Sequence, residues 1–212
     1  MKILEVTELA LPDIYVIRYA RYGDVRGYFT ESYQMLEFAT HEQLKPLFSE
    51  KTFVQQNESY SQSGVVRGLH MQWSPPQGKL IRTTWGRMVD VVVDIRTDSK
   101  TFGQGIMYEM PADPTASYGE LIWVPFGFAH GNFYNQESKI EYLVDSPWGG
   151  VDGEGSISPL ATDIDWGLCD DKLKREFDHL TRASTLLITD KDRDGLSIAA
   201  WKDSEMAKNH FS

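Results

Sequence analysis

Apolar residues along this chain recur mostly at intervals of two, in short runs closed by Gly, Pro or Asp, which is the pattern of strands and not of helices. Residues 2–20 hold two such runs parted by Leu11-Pro12-Asp13, where the fixed φ and missing N–H of proline suit a turn. Residues 22–32 follow as a charged hairpin tip framed by Gly23 and Gly27. Phe53–Tyr60 alternates, with Gln55 and Asn57 on one face. Further strands are predicted around His70, at Leu80–Trp85, Met88–Ile95, Ile106–Met110, Leu121–Val124 and Lys139–Val144. Helix is confined to residues 33–41 and to a final segment from Ser197, a candidate cap, to Phe211. Residues 48–53 and the Gly- and Asp-rich stretch 145–156 read as loop. Many short strands with helix at the edges predict one all-β domain over residues 1–212, an antiparallel sandwich or barrel such as a double-sheet jelly roll.

Charge narrows the partners. Asp and Glu number 31 against 21 Lys and Arg, a formal net charge of −10. That excess argues against non-specific nucleic-acid or membrane-surface binding, so any phosphate must be held by a few local cations. No apolar run is long enough to span a bilayer, and the N-terminus lacks the apolar core of a signal peptide. The single cysteine, Cys169, has no internal disulfide partner, which favours a reducing compartment. The cytoplasm is the expected location.

Candidate chemistry concentrates in residues 65–96, where Arg67, His70, Lys79 and Arg82 sit within strand-type runs. A histidine between strands, with guanidinium and ammonium groups nearby, suits proton transfer on an anionic substrate; a satisfied core histidine is the plainer reading of the same residues. His130 lies among aromatic and small residues at 126–133. The five histidines, at 41, 70, 130, 179 and 210, contain no closely spaced pair of the kind that holds a transition metal, so no metal and no cofactor is expected.

Eight segments in order carry a resemblance: GDVRGYFTES (23–32), FVQQNES (53–59), GVVRGLHMQ (64–72), PPQGKLIRTTWG (75–86), DVVVDIRTDSKTFG (90–103), LIWVPFGFAHG (121–131), EGSI (154–157) and TDKDRDG (189–195). Together they resemble the dTDP-4-dehydrorhamnose 3,5-epimerase family over most of the chain. The resemblance implies a cupin-type jelly roll, a homodimer, no metal, and a nucleotide-linked 4-keto sugar as substrate. Such an enzyme removes a proton from carbon next to a ketone, stabilises the enolate oxygen, and returns a proton on the opposite face. By resemblance His70 is the base, Asp192 orients it, and Lys79 is the cation near the enolate oxygen. Arg67 then meets the diphosphate, as a rigid guanidinium fork suits phosphate oxygens. Gln55 and Asn57 contact sugar or base, His130 lines the pocket, and Glu154 and Lys191 add ligand contacts. Arg26 and Glu31 match positions that reach into the site from a partner subunit.

One departure stands out. The family's general acid is a tyrosine in the strand after FAHG, and counting along this chain puts Leu143 or Val144 there. Tyr142 is one residue from Leu143, on the opposite strand face unless a bulge shifts the register. The family's nucleotide-holding tyrosine pair falls on Trp148 and Gly149, where Trp148 can still stack on a base or sugar. The expected activity is epimerisation at C3, C5 or both of a dTDP-, CDP- or GDP-linked 4-keto-6-deoxy sugar. The alternatives are a related keto-sugar isomerase and a binding protein without turnover.

Overall fold

The computed structural model describes residues 1–211. Its strands are β1 (Ile3–Glu8), β2 (Tyr15–Ala20), β3 (Tyr22–Asp24), β4 (Gly27–Phe29), β5 (Gln55–Ser61), β6 (Val66–Gln72), β7 (Lys79–Trp85), β8 (Arg87–Asp94), β9 (Gly105–Pro111), β10 (Tyr118–Val124), β11 (Phe128–Phe133), β12 (Ser138–Val144) and β13 (Glu154–Ser156). One six-stranded sheet runs β1-β2-β10-β7-β12-β5, a five-stranded sheet runs β13-β6-β11-β8-β9, and β3 and β4 form a separate hairpin. The sheets are antiparallel throughout and face each other as a double-sheet jelly roll.

The alternation predicted from sequence divides the core into three layers. Strand β8 shows how: Met88 and Val92 point between the sheets, beside Val16, Ile81, Ile122 and Ile140. Val89, Val91 and Val93 point the other way, beneath the five-stranded sheet, and pack with Phe177, Trp201 and Phe211. Outside the six-stranded sheet, Leu80, Leu121 and Trp123 are covered by Phe38 and Phe48 of two short helices, α1 (Met35–Thr40) and α2 (Lys45–Phe48). Because both faces of the sheets are covered, β8 reads as a near-continuous apolar run.

Some elements depart from expectation. The helix α3 (Asp171–Arg182) lies in a stretch with no predicted element. Its signal is local: Asp170 caps the N–H groups of Lys172 and Leu173, and Leu173, Phe177 and Leu180 fall on one buried face. Part of the predicted loop 145–156 pairs as β13 against β6. The final helix is two, α5 (Ile198–Asp203), capped by Ser197, and α6 (Glu205–His210), because Ser204 ends the first and caps the second. Between α3 and α5 lies the one-turn helix α4 (Asp190–Arg193).

Candidate active site

The site begins with an irregularity in β6. His70 pairs with His130 of β11, but Arg67 pairs with Asn132, so β6 uses one more residue than its neighbour between these points. This bulge turns Arg67 and His70 to the same face although they are three apart. It needs glycine on both strands. Gly68 has φ +105°, and a Cβ there would stand 2.6 Å from Gly131 Cα. A Cβ on Gly131 would stand 2.2 Å from the Arg67 carbonyl oxygen.

The bulge also frees the Gly68 N–H, which donates to Asp192 Oδ2 at 3.1 Å. Asp192 Oδ1 lies 2.7 Å from His70 Nε2. The carboxylate arrives from α4, which Thr189 caps by accepting from the Asp192 N–H at 3.2 Å. Burial pushes the Asp192 carboxyl up, but the hydrogen bond and charge of His70 and the Gly68 N–H outweigh it and hold it below the usual carboxylate range. The Asp192 side chain is 6% exposed and that of His70 39%. A carboxylate on Nε2 leaves Nδ1 to accept a proton, with the imidazolium stabilised as it forms.

His70 opens on two joined cavities. The deeper, about 180 Å³, is walled by Arg67, His130, Asn132, Ser59 and Ile140 among others. The outer, about 530 Å³, is walled by Gln55, Asn57, Gln72, Gln77, Trp148 and Glu154 among others. His70, Lys79 and Tyr142 line both. His70 belongs to the five-stranded sheet; Lys79 and Tyr142 belong to β7 and β12 of the facing six-stranded sheet.

The position of Tyr142 corrects the expectation from counting. In the β7–β12–β5 ladder, Tyr142 stands opposite Ile81 and Asn57, and Val144 opposite Lys79 and Gln55. These residues share the inner face, and Leu143 shares the outer face with Leu80. Tyr142 therefore enters the cleft through the ordinary pleat of β12, without a bulge at its own position; the irregularity lies between Lys139 and Ile140. Leu143 is excluded from the cleft, and Val144 is the buried inward residue one pleat further on. Burial pushes the Tyr142 phenol up, while Arg67 and Asn57 pull it the other way.

Lys79 is partly buried, and its ammonium makes no hydrogen bond or ion pair with the described residues. Desolvation draws its ammonium down to about 8, against the attraction of Asp90, Glu154 and Asp145. His130 Nε2 lies 2.7 Å from Asp90 Oδ1, and this pair is almost wholly buried, at 8% and 0% side-chain exposure. Asp90 was missed in the sequence. Its signal is a carboxylate set among five apolar neighbours in MVDVVVDI, on a strand buried on both faces.

The remaining candidates divide. Gln55 and Asn57 line the outer cavity and bond to each other, Gln55 Nε2 donating to Asn57 Oδ1 at 2.7 Å. Arg67 donates from Nε to Ser61 Oγ at 2.9 Å. Trp148 and Glu154 form the outer rim, and Lys191 bonds to Glu154 there. Gln72, also missed, fixes that rim: its Nε2 donates to the Pro75 and Pro147 carbonyls at 2.8 and 3.0 Å, tying two loops together. Arg26 and Glu31 are absent from both cavities of their own chain. Arg26 sits at the exposed tip of the β3–β4 hairpin paired with Asp24, and Glu31 takes the amino terminus of Met1.

Comparison with known proteins gives a consistent result. The family model described as dTDP-4-dehydrorhamnose 3,5-epimerase matches residues 8–200. The dTDP-4-dehydrorhamnose 3,5-epimerase of Pseudomonas aeruginosa is 36% identical over 183 residues, covering 85% of this chain and 96% of that protein. That of Salmonella typhimurium is 38% identical over 166 residues, covering 76% and 85%. Among solved structures, the dTDP-6-deoxy-D-glucose-3,5-epimerase of Legionella pneumophila, in complex with dTDP-4-keto-L-rhamnose, superposes with a TM-score of 0.75 at 30% identity. The match covers 92% of this chain and 93% of that one.

Proposed function

This chain belongs to the dTDP-4-dehydrorhamnose 3,5-epimerase family, and from that premise we propose that it inverts C3, C5 or both of a nucleotide-diphosphate 4-keto-6-deoxy sugar through the cleft around His70. The observation that carries the reading is the junction of the two cavities. Three side chains meet both, one backed by a buried carboxylate on one wall and two on the facing wall. Inversion needs a base on one face of the ring and a proton donor on the other, and this arrangement supplies both.

The sugar lies in the deep cavity and the nucleotide in the outer one. His70 removes the proton next to the ketone, and Asp192 holds the imidazole and stabilises its charged form. Lys79 offers its unengaged N–H groups to the enolate oxygen, and His130, fixed by Asp90, lines the same pocket. Tyr142 returns a proton from the opposite wall. Arg67, from the deep cavity, and Lys191, from the rim, meet the diphosphate where the two cavities join, Gln55 and Asn57 bond to sugar or base, and Glu154 and Trp148 hold the nucleotide at the rim. dTDP is the family's nucleotide; CDP and GDP are the alternatives, because Trp148 and Gly149 stand where the family has a pair of tyrosines.

A homodimer completes the site. Lys79 is the single Lys or Arg lining the outer cavity, and Lys191 at the rim is already paired with Glu154, so a diphosphate there gains from a further cation. Arg26 from a partner's hairpin supplies the missing charge and Glu31 comes with it. The working location is the cytoplasm; no helix among the described residues is long and apolar enough to cross a membrane.

Deuterium uptake at C3 and C5 of 4-keto nucleotide sugars in heavy water, read by NMR, tests the reading. Wild type should exchange and invert at least one carbon. Tyr142→Phe should keep uptake and slow inversion by about 10²-fold, as loss of a general acid does. A protein that binds without turnover takes up no deuterium, and that result would remove the proposal.

A further inference from the structure

One side chain ties the rim of the cleft to the carboxylate behind the base. Glu154, at the start of β13, has 20% side-chain exposure and lines the outer cavity. Its Oε1 accepts from Lys191 Nζ at 2.6 Å and its Oε2 from Trp148 Nε1 at 3.2 Å. The residue after Lys191 is Asp192, which holds His70.

The helix that carries both is a single turn, too short to be stable alone. Its place is set from β13 and the residues just after it. Ser156 Oγ donates to the Lys191 carbonyl at 3.4 Å, and Ser158 Oγ donates to that of Arg193 at 2.8 Å. Glu154 grips the same turn through Lys191. In the β13–β6 ladder, Glu154 pairs with Gln72 and Ser156 with His70. The base and the clamp on its carboxylate therefore stand on adjacent strands, and the clamp reaches the rim through Trp148, which is 59% exposed.

We propose that Glu154 is a positioning residue: it couples occupancy of the outer cavity to the placement of Asp192, and so of the His70 imidazole, so that the nucleotide half of the substrate speeds proton removal from the sugar. This rests on the epimerase reading. A base or sugar stacked on the Trp148 indole fixes a side chain otherwise held by one hydrogen bond. Glu154 is then fixed between two partners, and α4 with it. Binding energy from a remote part of the substrate is in this way used at the reacting carbon and appears in kcat. The ion pair contributes little to stability, since Lys191 is well exposed. Its effect is geometric, because small displacements of a base cost rate.

The test compares deuterium exchange on a 4-keto nucleotide sugar with exchange on the same sugar as its 1-phosphate. Glu154→Gln keeps an acceptor for Trp148 and loses the ion pair. It should lower kcat on the nucleotide sugar roughly three- to tenfold, and kcat on the sugar phosphate by a clearly smaller factor. Lys191→Met should behave alike, and Lys191→Arg should restore most of the rate. A change in KM alone would make Glu154 a simple ligand contact. Equal slowing of both substrates would make its role structural. Either result overturns the inference while leaving the epimerase reading intact. Absence of exchange by wild type on any substrate would instead overturn that reading, and the inference with it.

Discussion

His70 and His130 face each other across the β6–β11 ladder, and each places Nε2 2.7 Å from a carboxylate oxygen. The two pairs are otherwise unlike. Asp90 and His130 lie on neighbouring strands, are almost wholly buried although the edge of the His130 ring meets the deeper cavity, and leave Asp90 Oδ2 buried without a partner. Asp192 reaches His70 from 122 positions away, on a one-turn helix, and the imidazole it holds is open to the cleft. A short bond between histidine and carboxylate does not by itself identify a base. What distinguishes His70 is access: a proton can reach and leave its ring, and two side chains wait on the facing wall. The buried pair is built to fix one ring in place.

The comparison breaks most directly at the histidines. His70→Asn should abolish deuterium uptake, a loss of about 10²–10⁴-fold or more, since it removes the proton acceptor. His130→Asn should slow the reaction, by about tenfold, through looser placement of the sugar, yet uptake should persist. If uptake survives in the first variant and vanishes in the second, the assignment of base and pocket residue is reversed.

The carboxylates separate activity from stability. Asp192→Asn should lower turnover more than melting temperature, because the imidazolium loses its counter-charge at an open site. Asp90→Asn places an amide donor where a buried oxygen already lacks a partner. It should cost about 1–3 kcal/mol of stability, seen as a lower denaturation midpoint. Acid sharpens the contrast. The folded Asp192 pKa lies below its unfolded value, so its contribution to stability is complete above about 4 and is lost as pH falls through the folded value. Asp192→Asn should lack that part of the acid-induced loss.

The same contrast explains what could be read from the chain. Strand periodicity located the framework of both sheets because alternation is local and the core faces are apolar. α3 escaped although its cap and its apolar spacing are local too. Asp90 was legible in principle, as a carboxylate inside an apolar strand. Asp192 was not: no spacing joins a tail residue to β6, and only the motif resemblance proposed the pair. Tyr142 was misjudged for a third reason. Counting along the chain from His130 passes through the β11–β12 connection, where one residue more or less reverses the face of every side chain that follows. Cross-strand partners, Asn57 and Ile81, settle the face, and they are known only from the fold.

Lys79 gives the finest test, because it stands opposite both pairs and is answered by only one of them. Asp90 is the strongest attraction on its ammonium, yet no contact forms, and desolvation prevails. With a folded pKa of about 8 against an ordinary 10.5, the unfolded chain binds more protons between these values. Stability of the ligand-free protein should therefore rise as pH increases through that window, and Lys79→Met should remove the rise. Activity should move the opposite way: kcat/KM should decline above about 8 as the free enzyme loses the cation that meets the enolate. An anionic nucleotide sugar raises the same pKa by pairing with the ammonium, so binding at pH 8–9 should take up protons, which calorimetry in buffers of different ionisation heat will detect. If activity and stability instead rise together across this window, Lys79 does not carry charge to the substrate, and the facing wall is left to Tyr142 alone.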